Sequence, residues 1–401
     1  IWNLYRLANG DFGGLVSDTE LMTRPLDLWV PEGYVFYSML VMPHFARAIA
    51  LLLLTVRYAA IGMAENRLAP SIAAGVLCFA LSFVHPYDVL IALGLAGGVA
   101  GLHSLHQRRL DPAAWRHVGV LLLIGSGPVL YNYWILNSNP GMHAWLVQNH
   151  SSSPEPGSYL AGYGLLLLGA LLYTLKQRRE LGTDLAPRQW LFAWLLILPL
   201  ALYAPIDFQR RLVIGAAAPL AVLAMLLLLD WLDTRRFGLR HARAATLALV
   251  IGLVSLSSAF HWLNSFRKAN DHGGEMFVDS GMVETLQAIA GAPAGDGTVL
   301  ARLATGNHVP RFTGRATVIG SRGQTGNFDR VLASTDAFYR GEMSNAEMTA
   351  FLEDQRVDWV VIGPHEAAIM APDLKQRLAR LELQSWYRAG DGAYEVLLRT
   401  P

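Results

Sequence analysis

The sequence predicts an α-helical polytopic membrane domain of about eight spans, followed by a small soluble α/β domain with a largely parallel sheet. Hydrophobic residues make up 53% of the 401 residues and charged residues only 16%, far from the balance of a soluble enzyme. Apolar stretches recur through the first two thirds of the chain and stop at about residue 263. In hydrocarbon only helices and closed barrels satisfy their own backbone, so the apolar part is expected to form membrane-spanning helices.

The longer apolar stretches approach the roughly 20 residues that an α-helix needs to cross a bilayer core. The eight stretches are 43–62, 71–84, 88–102, 118–136, 159–175, 189–204, 212–232 and 244–262. They define a transmembrane domain over 43–262, preceded by an external segment over 1–42. Because the first residue is Ile1 and not an initiator Met, we expect the external segment to be incomplete at its N-terminal end.

Basic loops predict the orientation, because Lys and Arg near span ends are retained on the cytoplasmic side. The loops after the third, fifth and seventh stretches are basic and fall on one face if the spans alternate. Their basic residues are Arg108, Arg109, Arg116, Lys176, Arg178, Arg179, Arg188, Arg235, Arg236, Arg240 and Arg243. Residues 1–42, the turn at 85–88, and residues 137–158, 205–211 and 263–401 are then expected outside, although Arg267 with Lys268 and Arg210 with Arg211 run against the rule.

Residues 263–401 alternate between β-type and helical patterns, which suggests a three-layer α/β domain with a largely parallel sheet. The β-type runs are 298–301, 316–320, 358–362 and 394–398, and the helical patterns are 282–290, 328–339, 346–356 and 374–383. The turn at 320–323 does not form a phosphate-loop or dinucleotide fingerprint. A structural or acceptor-binding role for this domain is therefore favoured over a nucleotide site.

Two polar segments at the outer ends of spans are candidate sites, because ionisable groups at membrane depth are costly and usually mark a pathway or site. The segment 205–211 ends in Arg210 and Arg211, whose planar donor forks suit phosphate oxygens; headgroup snorkelling is the alternative. His85 and Asp88 flank a break between the second and third stretches, where they either face the site or cap their helices. We expect both to line the same outward cavity as Arg210.

A third segment, 27–32, combines carboxylates with Trp29 and is followed by further aromatic residues before the Pro43-His44-Phe45 start of the first span. Carboxylates beside aromatic rings suit sugar recognition and general-base work. Glu32 is therefore a candidate catalytic or substrate-orienting acid, although aromatic belts occur at every membrane interface.

A fourth segment, the outer loop 137–159, is long, polar and interrupted by prolines. It is expected to be a flexible, solvated cover over a site. Its histidines, His143 and His150, lack the spacing of metal ligands, so no metal site is assigned.

Short motifs distributed along the chain resemble those of bacterial membrane glycosyltransferases of the GT-C superfamily. They are Pro43-His44-Phe45, His85-Pro86-Tyr87, Pro154-Glu155-Pro156 leading to Gly162-Tyr163-Gly164, Phe208-Gln209-Arg210-Arg211, and Val309-Pro310 leading to Gly314-Arg315. The resemblance implies an enzyme of the bacterial inner membrane that uses a polyprenyl-phosphate-linked sugar, with its active site and soluble domain outside the cytoplasm. It also implies a catalytic acid in the loop that follows the first span of such enzymes on the external side. That loop is expected to precede the first residue of this sequence.

On this hypothesis Arg210 and Arg211, with His85 or His44, would bind the lipid phosphate, and Asp88 or Glu32 would serve as catalytic or orienting acids. The acceptor, whether glycan, lipid or protein, and any need for a divalent metal stay open. The net charge of +1 gives no sign of a nucleic-acid partner. The main rival is a transporter or flippase, which should show internal repeats and broken helices near the midplane; a non-catalytic scaffold is the third reading.

Overall fold

The computed structural model describes residues 25–234, 241–270, 277–292 and 297–399. The chain divides into two compact units, one of residues 1–135 and 150–266, the other of residues 136–149 and 267–401. Three of the basic residues that predict the orientation, Arg235, Arg236 and Arg240, lie outside the described residues, as do residues 1–24 of the external segment.

Twelve helices are described up to residue 270; ten of them overlap the predicted apolar stretches, and the helices Val35–Val41 and Pro140–Gln148 lie outside them. They are α1 (Val35–Val41), α2 (Pro43–Ala64), α3 (Leu68–Val84), α4 (Asp88–His106), α5 (Pro112–Gly125), α6 (Gly127–Ser138), α7 (Pro140–Gln148), α8 (Pro156–Lys176), α9 (Pro187–Leu202), α10 (Ala217–Thr234), α11 (Ala242–Val254) and α12 (Leu256–Asn270). Five of them begin at a proline. At a first helical position the missing N–H of proline costs nothing and its fixed φ suits the helix.

The first unit has two apolar cores, one among α2–α5 and α9, the other among α8–α10 and the turns before α1. Leu52, Leu81 and Leu95 are fully buried in the first core. The opposite faces of the same helices expose large apolar side chains, such as Leu123 at 83% and Leu200 at 73%. Helices that are apolar on both faces are typical of a membrane-embedded bundle.

The expected count of about eight spans is not confirmed. Within the described residues, four helical stretches are long and apolar enough to cross a membrane: Pro43–Ala64, Asp88–His106, Pro156–Lys176 and Gln209–Thr234. Two helix pairs, α5 with α6 and α11 with α12, are bent by 50° and 49°, and they raise the number to six if each pair is one span. The helices α3 and α9 have only 17 and 16 residues, because polar or proline-containing turns end them early.

The second unit is built around a four-stranded sheet. Its elements are α13 (Ser280–Gly291), β1 (Thr298–Leu300), α14 (Leu303–Gly306), α15 (Val309–Thr313), α16 (Phe328–Tyr339), α17 (Asn345–Asp354), β2 (Val357–Ile362), α18 (Pro364–Ala367), α19 (Leu374–Arg380), β3 (Leu383–Ala389) and β4 (Tyr394–Arg399). The strand order is β1-β2-β4-β3, with β1 parallel to β2 and the other two pairings antiparallel. The sheet is therefore mixed, and the expected largely parallel sheet is wrong.

The difference arises at the C-terminal end of the chain. The helical pattern at 374–383 ends earlier than expected, at Arg380, and Leu383–Ala389 forms a strand. A tight turn at Gly390–Gly392, in which Asp391 has a φ of 52°, joins that strand to β4 as a hairpin. The β-type run at 316–320 makes only one parallel bridge, between Thr317 and Val299, so it adds no strand.

The loop 137–159 also differs from the expected flexible cover. Its first part is the helix α7, whose N-cap Asn139 accepts hydrogen bonds from the backbone N–H groups of Gly141 and Met142. This helix belongs to the second unit, whereas residues from His150 onward belong to the first.

Candidate functional site

The candidate site lies in the first unit, where the turns at 25–34 approach α8 and the segment 204–213. Two short 3-10 turns run over Leu26–Leu28 and Pro31–Gly33. Proline holds the N-cap of the first, at Pro25, and the first position of the second, at Pro31. Leu26 is fully buried and Glu32 is 4% exposed. A carboxylate is rarely so buried unless it is paired or functional.

Reciprocal hydrogen bonds hold the turn region on α8. The Tyr34 hydroxyl donates to the Gly162 carbonyl, and the Tyr163 hydroxyl donates to the Gly33 carbonyl over 3.0 Å. A Cβ at Gly162 would come within 2.9 Å of the Leu26 backbone nitrogen, so only glycine permits this approach. Burial, with Tyr163 and Asp27 nearby, raises the pKa of Tyr34 well above its usual range, which keeps its hydroxyl a donor.

Asp27, the other carboxylate of this region, joins the turns to α12. Its Oδ2 accepts a hydrogen bond from Ser257 Oγ over 2.5 Å, and its backbone oxygen lies 2.5 Å from His261 Nε2. The His261 ring also stacks on Tyr37 at a centroid distance of 3.8 Å. Of the two acids at 27 and 32, this arrangement gives Asp27 a structural role.

The segment 204–213 is held by a short run of chain after α7. Ser151 N–H donates to the Asp207 carbonyl over 2.6 Å, and Arg210 N–H donates to the Ser151 carbonyl over 2.9 Å. Gln209 spans the same junction, since its Oε1 accepts from Ser153 N–H and its Nε2 donates to the Ala204 carbonyl. These backbone pairings fix where the two arginine side chains leave the chain.

Arg210 meets Glu32 and Trp29. Its Nε lies 3.8 Å from Glu32 Oε1, and its guanidinium carbon lies 5.0 Å from the Trp29 ring centroid, within cation–π range. The Glu32 side chain is 5% exposed and that of Arg210 is 24% exposed. The two residues belong to separate candidate segments of the sequence, and the structure brings them together.

Arg211 is linked to the other pair of candidate residues, His85 and Asp88, through the Tyr87 ring. Its Nε donates to Ser151 Oγ over 3.1 Å, and its guanidinium carbon lies 5.1 Å from the Tyr87 ring centroid. The Tyr87 ring in turn packs on Phe208 at 4.6 Å and on His85 at 5.2 Å. Sequence reasoning assigned no role to Tyr87 or Ser151, although Tyr87 belongs to the His85-Pro86-Tyr87 motif.

His85 and Asp88 form a buried pair, with His85 Nδ1 2.9 Å from Asp88 Oδ1. Their residues are 3% and 0% exposed. Asp88 is not the helix cap that the alternative reading required, because Tyr87 holds the N-cap position of α4. His85 does hold the C-cap position of α3, but its ring faces Tyr87 and Phe45. His44 contacts this group through Phe45, at a ring distance of 4.4 Å.

Several polar atoms of this arginine cluster, defined as Trp29, Glu32, His44, His85, Asp88, Arg210 and Arg211, are buried without a hydrogen-bond partner among the described residues. They include Trp29 Nε1, Glu32 Oε2, His85 Nε2, Asp88 Oδ2 and Arg210 Nε. Buried polar groups are nearly always paired, so this set of unpaired atoms marks the cluster as the candidate functional site. Within the described residues no group of three His, Cys, Asp or Glu side chains could hold a metal ion.

The fold and the cluster define an integral membrane protein of bundled helices that carries a small α/β unit. Solved structures similar to this chain include archaeal oligosaccharyltransferases from Archaeoglobus fulgidus. One is AglB in complex with an inhibitory peptide and a dolichol-phosphate, at 11% identity and a TM-score of 0.45; another is the oligosaccharyltransferase in the apo form, at 12% identity and a TM-score of 0.47. Each match covers 94% of this chain and 57% of the solved chain, so this chain spans less than two thirds of their length. No family model and no curated protein sequence matches the chain.

Proposed function

We propose that this protein is an integral-membrane glycosyltransferase that transfers a sugar from a polyprenyl-phosphate-linked donor to an acceptor hydroxyl on the extracytoplasmic face. The observation that carries the proposal is the placement of Arg210 and Arg211 at the start of an apolar helix, beside the buried Glu32 carboxylate and the His85–Asp88 pair. A donor that is lipid at one end and phosphate at the other meets cations there while its tail stays in hydrocarbon.

In the proposed reaction the acceptor hydroxyl oxygen attacks the anomeric carbon, and the bond from that carbon to the phosphate oxygen breaks. The phosphate leaves with the bonding electrons, so negative charge grows on it in the transition state. The guanidiniums of Arg210 and Arg211 would stabilise that charge, since each presents donors suited to phosphate oxygens. Interactions that strengthen as the charge develops raise the rate of the step.

Glu32 is the proposed acceptor of the hydroxyl proton, because its Oε2 has no hydrogen-bond partner among the described residues. Asp88, the other candidate acid, is fully buried against His85, so we assign it the orientation of the His85 ring toward the phosphate. His44 is placed at the edge of the same group.

The test replaces each arginine in turn in the full-length protein. It measures the release of polyprenyl phosphate from synthetic short-chain polyprenyl-phosphate sugars. Arg210→Lys and Arg211→Lys should each lower turnover by about 10- to 100-fold, because a hydrogen bond to a charged group contributes about 1.5–3 kcal/mol and lysine loses the planar fork. Arg188→Lys is the matched control, since Arg188 is an exposed arginine paired with Glu180 and Asp184. Unchanged turnover in the Arg210 and Arg211 variants would leave headgroup contact as their role and remove the proposal.

Transport or flipping of a lipid-linked or anionic substrate is the second candidate, and the two bent helix pairs favour it, because broken helices line many transport sites. Reconstituted vesicles separate the two: a flippase moves the intact donor between leaflets, whereas a transferase leaves free polyprenyl phosphate. Movement of intact donor without release of the phosphate would support the rival.

The sidedness and domain limits belong to the same proposal. We place 43–262 in the membrane, most simply the bacterial inner membrane, with residues 1–42 and the α/β domain 263–401 outside. The arginine cluster then lies on the side on which lipid-linked sugars would be used.

A further inference from the structure

The second unit contains a cleft of about 410 Å³ that lies within that unit alone. A volume of this size is at the lower end of the roughly 300–1,000 Å³ of small-ligand pockets. Its walls come from α14 and α15, the bridge region 317–320, the loop before α16, and the end of α17. The polar side chains that line it are Asn307, Thr317, Ser321, Gln324, Thr325 and Gln355.

Of the described residues that line the cleft, none carries a charge. Three arginines of the same chain segment, Arg311, Arg315 and Arg322, contact residues that do not line the cleft. Arg315 donates to the Ile289 and Ala292 carbonyls, and Arg322 pairs with Asp329 at 2.9 Å. Arg311 lies over the Phe312 ring. The cleft thus presents amides, hydroxyls and backbone, a set that suits neutral hydroxyl groups and supplies no positive charge to neutralise a phosphate or carboxylate.

The loop 321–326, which forms one wall, is hydrogen-bonded to α7 and its C-cap. The Trp145 indole N–H and the Asn149 side-chain amide donate to the Gly323 carbonyl, and the Gln148 amide donates to the Thr325 carbonyl. Inside the loop, Thr325 Oγ1 accepts from Gly320 N–H over 2.9 Å. A wall ordered before a ligand arrives lowers the entropy cost of binding.

We propose that this cleft binds a neutral glycan. Resting on the proposed transferase function, we assign that glycan to the acceptor, so the second unit would hold the acceptor chain whose hydroxyl is glycosylated. Only Pro310, Val318 and Val331 give the lining aliphatic surface, which is too little for a pocket that selects an apolar peptide side chain.

A glycine in the wall gives a direct test. Gly326 lines the cleft, and a Cβ added there would meet no atom within 4 Å, so the backbone tolerates a side chain and Gly326→Leu is expected to take up cleft volume. Gly291 at the end of α13 is equally open and does not line the cleft, which makes Gly291→Leu the matched control. Gln324→Ala removes an exposed amide of the lining as a second variant.

Binding is measured on the full-length protein in lipid nanodiscs, without donor, by saturation-transfer NMR and titration. The probes are short neutral oligosaccharides of hexoses and pentoses, oligosaccharides ending in a uronic acid, and uncharged peptides. We expect a neutral oligosaccharide to bind the unchanged protein and the Gly291→Leu variant, and to bind Gly326→Leu and Gln324→Ala about tenfold or more weakly, as loss of one or two hydrogen bonds implies.

Failure of every neutral oligosaccharide to bind overturns the inference. Equal binding to Gly326→Leu, or a preference for the acidic oligosaccharides or the peptides, overturns it as well. Since no donor is present, the result is independent of the arginine test. Glycan binding with unaffected donor turnover in the Arg210 and Arg211 variants would remove the transferase mechanism and leave the cleft.

Discussion

The Glu32–Arg210 pair should contribute to the stability of the first unit as a coupled pair, although its closest atoms are 3.8 Å apart. At an effective dielectric of about 20, two unit charges at that distance attract by about 4 kcal/mol. Arg210 is 24% exposed, and the pair lacks hydrogen-bond geometry, so screening lowers the expected coupling to about 1–2 kcal/mol.

A double-mutant cycle measures that coupling. Glu32→Gln and Arg210→Met are made singly and together, and the unfolding midpoint of each protein is followed in detergent. Arg210→Met should be the more harmful single change, because it leaves a buried carboxylate without its counter-charge. The double variant should then be more stable than the sum of the two single effects predicts.

The control cycle uses Lys176 and Asp230, whose charged atoms are only 2.8 Å apart but whose side chains are 53% and 40% exposed. Exposed pairs of this kind couple by roughly 0.2–1 kcal/mol. If burial decides the strength, the longer Glu32–Arg210 contact couples more strongly than the shorter exposed one. Additivity of the Glu32 and Arg210 changes within about 0.5 kcal/mol would refute the reasoning.

Three further predictions concern separate parts of the chain. Burial alone would raise the pKa of Glu395, but bonds from Lys375, Ser385 and Arg388 lower it from 4.5 to about 2. The ionised Glu395 carboxylate therefore stabilises the fold above about pH 4.5, and this stabilisation is lost as the pH falls toward 2. After allowance for the exposed side chains of its partners, it contributes about 1–2 kcal/mol to the free energy of unfolding. Hydrogen exchange of the β4 amides, corrected for intrinsic rate, should show this loss, and Glu395→Gln should abolish the pH dependence. Gly162→Ala should destabilise the first unit by about 1–3 kcal/mol through its clash with backbone, whereas Gly157→Ala in the same helix, with open space around it, should be neutral in thermal unfolding. A reporter fused to the C-terminus should be active only outside the cytoplasm; activity restricted to the cytoplasm would reverse the proposed orientation.

The helical part of the fold was predictable because hydrocarbon imposes one simple pattern on a sequence. Every apolar stretch is helical over most of its length, and the helix Phe328–Tyr339 of the second unit begins and ends at the predicted residues. The number of spans was less predictable, because an unbroken run of apolar residues does not reveal the breaks at Ser126 and Ser255. The prediction of a largely parallel sheet failed for a related reason. The apolar pattern of residues 383–389 alternates only weakly, and pairing with β4 makes this segment a strand.

The candidate site was predictable in its residue types and not in its pairings. Arg210 and Arg211 stood out because two arginines on the predicted outer face oppose the usual charge bias, and Glu32 because a carboxylate lay among aromatic residues. Nothing local joins them, since the contact depends on Leu26 packing against Gly162 and on Ser151 bonding to the 207–210 segment. Long-range contacts also distinguish the two acids of the turn region, which the sequence alone does not separate. Asp27 accepts a hydrogen bond from Ser257, whereas Glu32 keeps one oxygen without a partner among the described residues. A buried acid that is already bonded holds the fold together, and one with an unused oxygen beside a cation is the better candidate for chemistry. Replacing Asp27 should therefore lower stability, and replacing Glu32 should lower turnover first.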